Sequence, residues 1–278
     1  MSDQPTSSED ERKAILRETF DAVAGGYDSQ PLRFFPASAA QMATLLDLQG
    51  HERLLDVACG TGNGALAVAP LVPQGRVTAV DFSSGMLGQA RQRAATAGMA
   101  NIDFVAGDMS RLDFAGTSFD AALCAFGIFF AADMTAQLQQ IAAAVRPGGV
   151  VMTSTFAQGY FQPLRDLLFA RAADYGVAKS PQTWLQVASE AGCRELFNQA
   201  GFNEVRVEQR NLGYYLSSAE EWWAVVWNAG FRRVVNAIAP AERERFRAEH
   251  LREVAALATE RGIWLEVEVL YTIGTRPC

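Results

Sequence analysis

The chain has 278 residues, is 49% hydrophobic and carries a formal net charge of −7. This length and apolar content suffice for one large core with a smaller covering segment, and the scattered positive charges form no basic patch for nucleic acid. The longest apolar run, residues 121–132, is too short to span a bilayer, and residues 1–10 lack the apolar segment of a signal peptide. We therefore expect a cytoplasmic protein with no nucleic-acid partner and no membrane insertion.

The N-terminal part predicts a tail followed by two helices. Residues 1–10 are polar and acidic, and we expect them to be a disordered tail. Apolar residues at helical spacing predict a helix over residues 11–24, which Gly25 and Gly26 end, and a second helix over residues 37–48.

A glycine-rich turn is the most informative stretch of the chain. The apolar run Leu54–Ala58 meets glycines at 60, 62 and 64 and then a helical pattern, which is how a buried parallel strand passes into a helix. Glycines let a ligand lie directly against backbone N–H groups at the start of a helix. Asp56 stands within the strand, and its carboxylate suits a ligand that carries a positive charge. A nicotinamide or flavin fingerprint is the alternative, but its third glycine would come one residue later and it leaves Asp56 unexplained.

Strands and helices alternate through most of the remaining chain. Strands are predicted over residues 76–80, 102–106, 121–125, 150–155, 204–210 and 265–274, and helices over residues 135–145, 161–175 and 188–200. Asp81 closes the second strand, at about the interval beyond the glycine turn where an acid binds ribose hydroxyls. This alternation predicts an α/β fold with a parallel sheet.

Three motifs resemble those of a known family. The run Asp56-Val57-Ala58-Cys59-Gly60-Thr61-Gly62 resembles the first motif, Asp/Glu-x-x-x-Gly-x-Gly, of the class I S-adenosylmethionine-dependent methyltransferases. The run from Phe20 to Asp28 is similar to the Phe-Asp-x-Val-Ala-x-x-Tyr-Asp segment of the quinone-biosynthesis members, and Arg146-Pro147-Gly148-Gly149 resembles a turn of the same family. The resemblance implies a doubly wound, seven-stranded, mostly parallel Rossmann-like sheet with N-terminal helices.

The resemblance also implies which residues contact the donor, S-adenosyl-L-methionine, whose product is S-adenosyl-L-homocysteine. It assigns Asp81 to the ribose hydroxyls, Phe82 and Met86 to the faces of the adenine ring, and Asp108 to the adenine amino group. Tyr27 is expected near the methyl group. The full predicted set is Tyr27, Asp56, Ala58, Gly60, Thr61, Gly62, Asp81, Phe82, Met86, Asp108, Met109 and Ala125.

Residues 213–262 are predicted to be a helical substrate lid, inserted before the last strand of a core formed by residues 11–212 and 263–278. Tyr214 and Trp223 are expected to contact the acceptor from this lid, and Phe126 and Phe129 from the edge of the sheet. The alternative for the lid aromatics is simple burial against the core.

The resemblance implies in-line transfer of a methyl group to a small acceptor, which we expect to be hydrophobic or aromatic and phenol-, enol- or quinol-like. Only His51 and His250 are available as histidine bases, and both are expected to be solvated surface residues, so no catalytic residue is assigned. An accessory protein that binds the donor without methyl transfer is the alternative.

The four cysteines, Cys59, Cys124, Cys193 and Cys278, include no Cys-x-x-Cys pair, which disfavours a metal site. The sequence does not determine the acceptor's identity, the methylated atom type or the oligomeric state.

Overall fold

The computed structural model describes residues 6–114, 119–178 and 183–278. Residues 1–5 of the predicted tail and Ser118 before the fourth strand lie outside these ranges. The described strands are β1 (Arg53–Val57), β2 (Arg76–Asp81), β3 (Ile102–Ala106), β4 (Phe119–Ala125), β5 (Val145–Phe156), β6 (Asn203–Asn211), β7 (Tyr214–Leu216), β8 (Ile263–Leu265) and β9 (Glu268–Thr275).

Seven of these strands form the main sheet, in the order β3-β2-β1-β4-β5-β9-β6. The strands from β3 to β5 pair in parallel, and β9 runs antiparallel between β5 and β6. The order reverses direction between β1 and β4, and in such sheets ligands bind at the carboxyl ends of the strands at this point. The predicted seven-stranded, mostly parallel sheet is confirmed.

Helices cover both faces of the sheet. The described α-helices are α1 (Thr6–Val23), α2 (Phe34–Leu45), α3 (Asn63–Val68), α4 (Ser84–Thr96), α5 (Met134–Ala144), α6 (Leu164–Asp174), α7 (Glu190–Gln199), α8 (Ala219–Asn228), α9 (Arg232–Asn236) and α10 (Arg243–Ala255). None of them is both long and apolar enough to cross a membrane.

The burial of β1 shows why its sequence is a continuous apolar run. Leu54 packs into the core on one face of the sheet, with α2, α3 and α6, and Leu55 and Val57 pack into the core on the other face, with α5 and α7. A strand buried on both faces has no polar alternation, so its position in the centre of the sheet follows from its sequence.

The structure corrects the predicted starts of the first helix and the last strand, and it adds a strand to the predicted lid. Helix α1 begins at Thr6, so residues 6–10 are helical instead of part of a disordered tail. Residues 213–262 hold strand β7 as well as helices α8 to α10, and β7 pairs with β8 in a separate two-stranded sheet. Because Leu265 pairs with Tyr214 in that small sheet, it does not open the last strand of the main sheet, which begins at Glu268.

Candidate functional site

The glycine turn after β1 adopts the conformation that its sequence predicts. Gly60 has a φ of 55° and Gly62, which precedes α3, a φ of 82°. The N–H of Gly60 donates to Oδ2 of Asp81 at 2.8 Å, and the N–H of Ser83 donates to Oδ1 at 2.9 Å. A Cβ at Gly60 would meet no atom within 4 Å, so the turn is open on the side where a ligand would lie. The Asp81 carboxylate is thus fixed at the end of β2 by two backbone donors.

A cavity of about 430 Å³ opens beside this turn, and we call it the donor cavity. This volume lies within the range of about 300–1,000 Å³ that is usual for small-molecule sites. Nine of the predicted donor contacts line it: Tyr27, Ala58, Gly60, Asp81, Phe82, Met86, Asp108, Met109 and Ala125.

Asp56, Thr61 and Gly62 do not line the donor cavity, although they belong to the strand and the turn beside it. Oδ2 of Asp56 accepts the N–H of Ala65 at 2.7 Å, while its Oδ1 is buried and has no partner among the described residues. Burial raises the pKa of Asp56 to about 7, and the nearby charge of Asp81 adds to this effect. Thr61 is fully buried and donates to Asp28 at 3.0 Å. The side chain of Asp56 therefore holds the turn against the start of α3.

Helix α1 covers the donor cavity, a role that the sequence analysis missed. Glu9, Lys13, Leu16 and Phe20 recur at helical spacing and all line the cavity. Lys13 lies 3.0 Å from Oδ2 of Asp108 and donates to Ser110 at 2.6 Å. The spacing of these four residues was the available signal, because it places them on one face of a helix.

The charge of the donor cavity suits a cation. Five acidic residues among the described lining stand against three basic ones, and the lining acids are Glu9, Asp10, Asp81, Asp108 and Asp133. A sulfonium donor carries a positive charge at the atom that reacts, so this excess of carboxylates favours it over a dinucleotide with its pyrophosphate.

A second cavity, of about 1010 Å³, adjoins the donor cavity and is lined largely by aromatic rings. We call it the acceptor cavity. Tyr27 and Phe126 line both cavities, whereas Phe129 lines only the second. Phe126 stacks on Phe156 with ring centroids 4.4 Å apart, and Tyr27 stacks on Phe35 at 4.5 Å. Phe126, which we expect to contact the acceptor from the edge of the sheet, therefore lies where the two cavities meet.

Tyr214 and Trp223 are not among the described residues that line either cavity. The hydroxyl of Tyr214 donates to the carbonyl of Pro31 at 2.6 Å, and the guanidinium of Arg33 lies over its ring. Trp223 packs on Phe246, with ring centroids 6.2 Å apart. Strand β7 places the Tyr214 ring, and helix α8 the Trp223 ring, against packing partners, so the structure does not bring the two residues to the acceptor cavity.

Neither histidine lies at the cavities. His51 is exposed just before β1. His250 is fully buried, contrary to the prediction of a solvated residue, and its Nε2 accepts the indole N–H of Trp222 at 2.8 Å. Burial lowers the pKa of His250 to about 4, so the ring is neutral at neutral pH. This pair fastens α8 to α10.

The thiols form no metal centre within the described ranges, where no group of three or more potential ligands converges. Cys59, Cys124 and Cys193 are buried. Burial raises the pKa of the Cys124 thiol to about 12, which keeps it protonated.

Comparison with known proteins finds methyltransferases. Residues 54–149 match the model of a methyltransferase domain. The chain is 28% identical over 216 residues to a demethylmenaquinone methyltransferase of Bacillus cereus, covering 71% of this chain and 91% of that protein. It is 32% identical over 175 residues to a demethylmenaquinone methyltransferase of Staphylococcus aureus, covering 56% of this chain and 69% of that protein.

Solved structures share the fold. The YcgJ protein of Bacillus subtilis superposes with a TM-score of 0.58 at 19% identity, over 87% of this chain and 99% of that one. Phosphoethanolamine N-methyltransferase 2 of Haemonchus contortus, solved in complex with S-adenosyl-L-methionine, superposes with a TM-score of 0.52 at 17% identity, over 85% of this chain and 51% of that one. On its motifs and its relatives, the chain belongs to the class I S-adenosylmethionine-dependent methyltransferases of the quinone-biosynthesis and small-molecule type.

Proposed function

We propose that this methyltransferase transfers the methyl group of S-adenosylmethionine to a planar, hydrophobic acceptor with a phenol, enol or quinol nucleophile. The observation that carries the proposal is the shared wall of the two cavities, where Tyr27 and Phe126 line both. A donor on one side of this wall and an acceptor on the other would meet there.

On the donor side, Asp81 would accept the ribose hydroxyls and Asp108 the adenine amino group. The Asp81 carboxylate is only 6% exposed and already holds the glycine turn, so it is preorganised for a diol. Phe82 and Met86 would supply the apolar faces for the adenine ring, and the glycine turn would face the methionine part of the donor.

The reaction would be an in-line displacement. The donor supplies a methyl group on a sulfonium, a leaving group that needs no activation, so the protein's contribution is alignment in a dry site. The stacked rings of Phe126 and Phe156 would give the acceptor side an apolar surface, and aromatic faces favour a nearby positive charge.

The acceptor's own acidity would supply the nucleophile. Among the described residues that line the acceptor cavity there is no histidine, and its one lining carboxylate, Asp166, has a side chain that is 57% exposed. Burial raises the pKa of Tyr27, which keeps that hydroxyl protonated. Phenols, enols and quinols ionise without a strong base, which is why they suit this cavity better than an alcohol.

The segment that we predict to be a lid, residues 213–262, would close the acceptor cavity with helix α9 and the residues beside it. Phe231, Val234 and Ala237 line the cavity from this segment, and Phe231 lies 6.3 Å from the ring of Tyr160 in a stacked arrangement. The two relatives' names, both demethylmenaquinone methyltransferases, support a quinol-like acceptor.

An acceptor screen tests the proposal. Purified protein is incubated without oxygen with methyl-labelled S-adenosylmethionine and a panel of naphthohydroquinones, phenols and enols, together with the O-methylated form of each compound as its control. We expect label in the hydroxyl compounds and none in their methyl ethers. Donor binding without label transfer to any compound in the panel would contradict the proposal and favour the accessory protein.

A further inference from the structure

Among the aromatic residues that line the acceptor cavity there is a buried charged side chain, that of Arg165. Arg165 is 7% exposed and lies in the first turn of α6, where it lines this cavity. Arginine is almost never buried to this extent without a partner, because removing its charge from water is costly.

The guanidinium group lies against two aromatic rings. Its Cζ lies 4.5 Å from the ring centroid of Tyr160 and 5.4 Å from that of Trp184, and both rings line the same cavity. Nη2 donates to the carbonyl of Gln158 at 3.1 Å. These contacts fix the group in one position at the cavity wall.

One end of this guanidinium has no hydrogen-bond partner among the described residues. Nη1 of Arg165 is buried and makes no hydrogen bond to any residue that the structure describes. Asp166 lies 3.6 Å from Nε, but its carboxylate is 57% exposed and also accepts the Gln162 amide at 2.9 Å. An exposed and shared carboxylate neutralises a neighbouring charge only weakly.

The wider lining of the cavity is also positive. Arg12, Arg165 and Arg233 are set against Asp166 alone among the charged residues of the described lining. The donor cavity next to it has the opposite excess, so the two cavities differ in the charge of the molecule that they suit.

We propose that the acceptor carries an anionic group, a carboxylate on its planar body, which pairs with Arg165 at the wall of the acceptor cavity. This inference rests on the proposed function, because it names the chemical class of the molecule that the cavity takes. A carboxylate offers two oxygens to a guanidinium edge, and such charge-assisted pairs are strong where water is excluded. Arg165 would thus select acceptors by charge, while the aromatic rings select them by shape.

The test compares two ligands that have the same ring system and differ in charge. The dissociation constants of 2-naphthoate and 2-naphthamide are measured by calorimetry on the wild-type protein, with and without S-adenosylhomocysteine. We expect 2-naphthoate to bind at least about tenfold more tightly than 2-naphthamide. Arg165→Gln should remove most of this preference by weakening only 2-naphthoate, and Arg165→Lys should retain part of it.

Arg252→Gln is the matched control, since Arg252 is an exposed arginine of α10 that lines neither cavity. It should leave the preference for 2-naphthoate within about threefold of wild type. Equal binding of the two ligands to wild type, no binding of either, or an equal loss of both in Arg165→Gln would overturn the proposal. If Arg165→Gln fails to fold, the wild-type comparison decides alone. Failure of the proposed function would appear in the acceptor screen and in S-adenosylhomocysteine binding. Failure of this inference would appear in the comparison of 2-naphthoate with 2-naphthamide.

Discussion

Replacing Asp56 by asparagine should stabilise the ligand-free protein at alkaline pH. Asp56 is buried at the end of β1, one of its carboxylate oxygens has no partner among the described residues, and burial raises its pKa to about 7 from the usual 3.8. The carboxyl is therefore more acidic in the unfolded chain than in the folded protein. The free energy of unfolding falls as the pH rises from about 4 to about 7, and it stays lower above that range.

The size of the effect follows from this pKa difference. Each pKa unit corresponds to about 1.36 kcal/mol, so about three units give a total near 4 kcal/mol, of which about 2 to 3 kcal/mol falls between pH 5 and pH 8.5. Asparagine stays neutral and its oxygen can still accept the N–H of Ala65. The melting temperature of the variant minus that of wild type should therefore be about 4–6 °C greater at pH 8.5 than at pH 5.

Thermal unfolding of both proteins at pH 5 and pH 8.5 measures this difference. Asp120→Asn is the control, since Asp120 accepts the N–H of Arg53 and the Nε–H of Arg146 at 2.7 Å, and these bonds lower its pKa. That variant should be destabilised by a similar amount at both pH values, because Asp120 loses its proton well below pH 5. Melting temperatures of wild type and Asp56→Asn that move in parallel with pH would refute the reasoning.

Three further substitutions test other parts of the molecule. Trp222→Phe leaves the buried Nε2 of His250 without its donor and should lower the free energy of unfolding by about 1–3 kcal/mol in urea titrations, so an unchanged midpoint would be evidence against this pair. Phe126→Leu removes a ring shared by both cavities and should reduce kcat/KM for the acceptor by about tenfold, with the donor dissociation constant within about threefold; an equal loss in both would contradict the separation of the cavities. Lys13→Ala removes the ion pair to Asp108 and should make hydrogen exchange in α1 about fivefold faster, for a pair worth about 1 kcal/mol, and unchanged exchange would show that α1 is held by other contacts.

The sheet and the donor cavity were predictable because their signals are local. The run from Leu54 to Ala58 is apolar because β1 is covered on both faces. Asp81 ends β2, and because β2 pairs in parallel with β1, its carboxylate lies beside the glycine turn that follows β1. The resemblance to a family then assigned nine residues that the structure places around one cavity.

The acceptor side was less predictable because it is assembled from distant segments. Arg165, Trp184 and Phe231 come from three separate segments after the main motifs, and nothing in their local sequence distinguishes them from packing residues. Tyr214 and Trp223 were expected at the acceptor for their aromatic character alone, but the direction of an aromatic ring depends on tertiary partners that spacing does not reveal.

Donor binding at Asp81 is the most direct test of the central claim that the donor cavity holds S-adenosylmethionine. The binding of S-adenosylmethionine and S-adenosylhomocysteine is measured by titration calorimetry on wild type, on Asp81→Ala and on the control Asp103→Asn. In wild type the Asp103 carboxylate pairs with Arg76 away from the cavity. We expect binding to wild type and to Asp103→Asn, and a loss of more than about tenfold, over about 1.4 kcal/mol, in Asp81→Ala. No binding to wild type, or equal binding to Asp81→Ala, would contradict this assignment of the donor site.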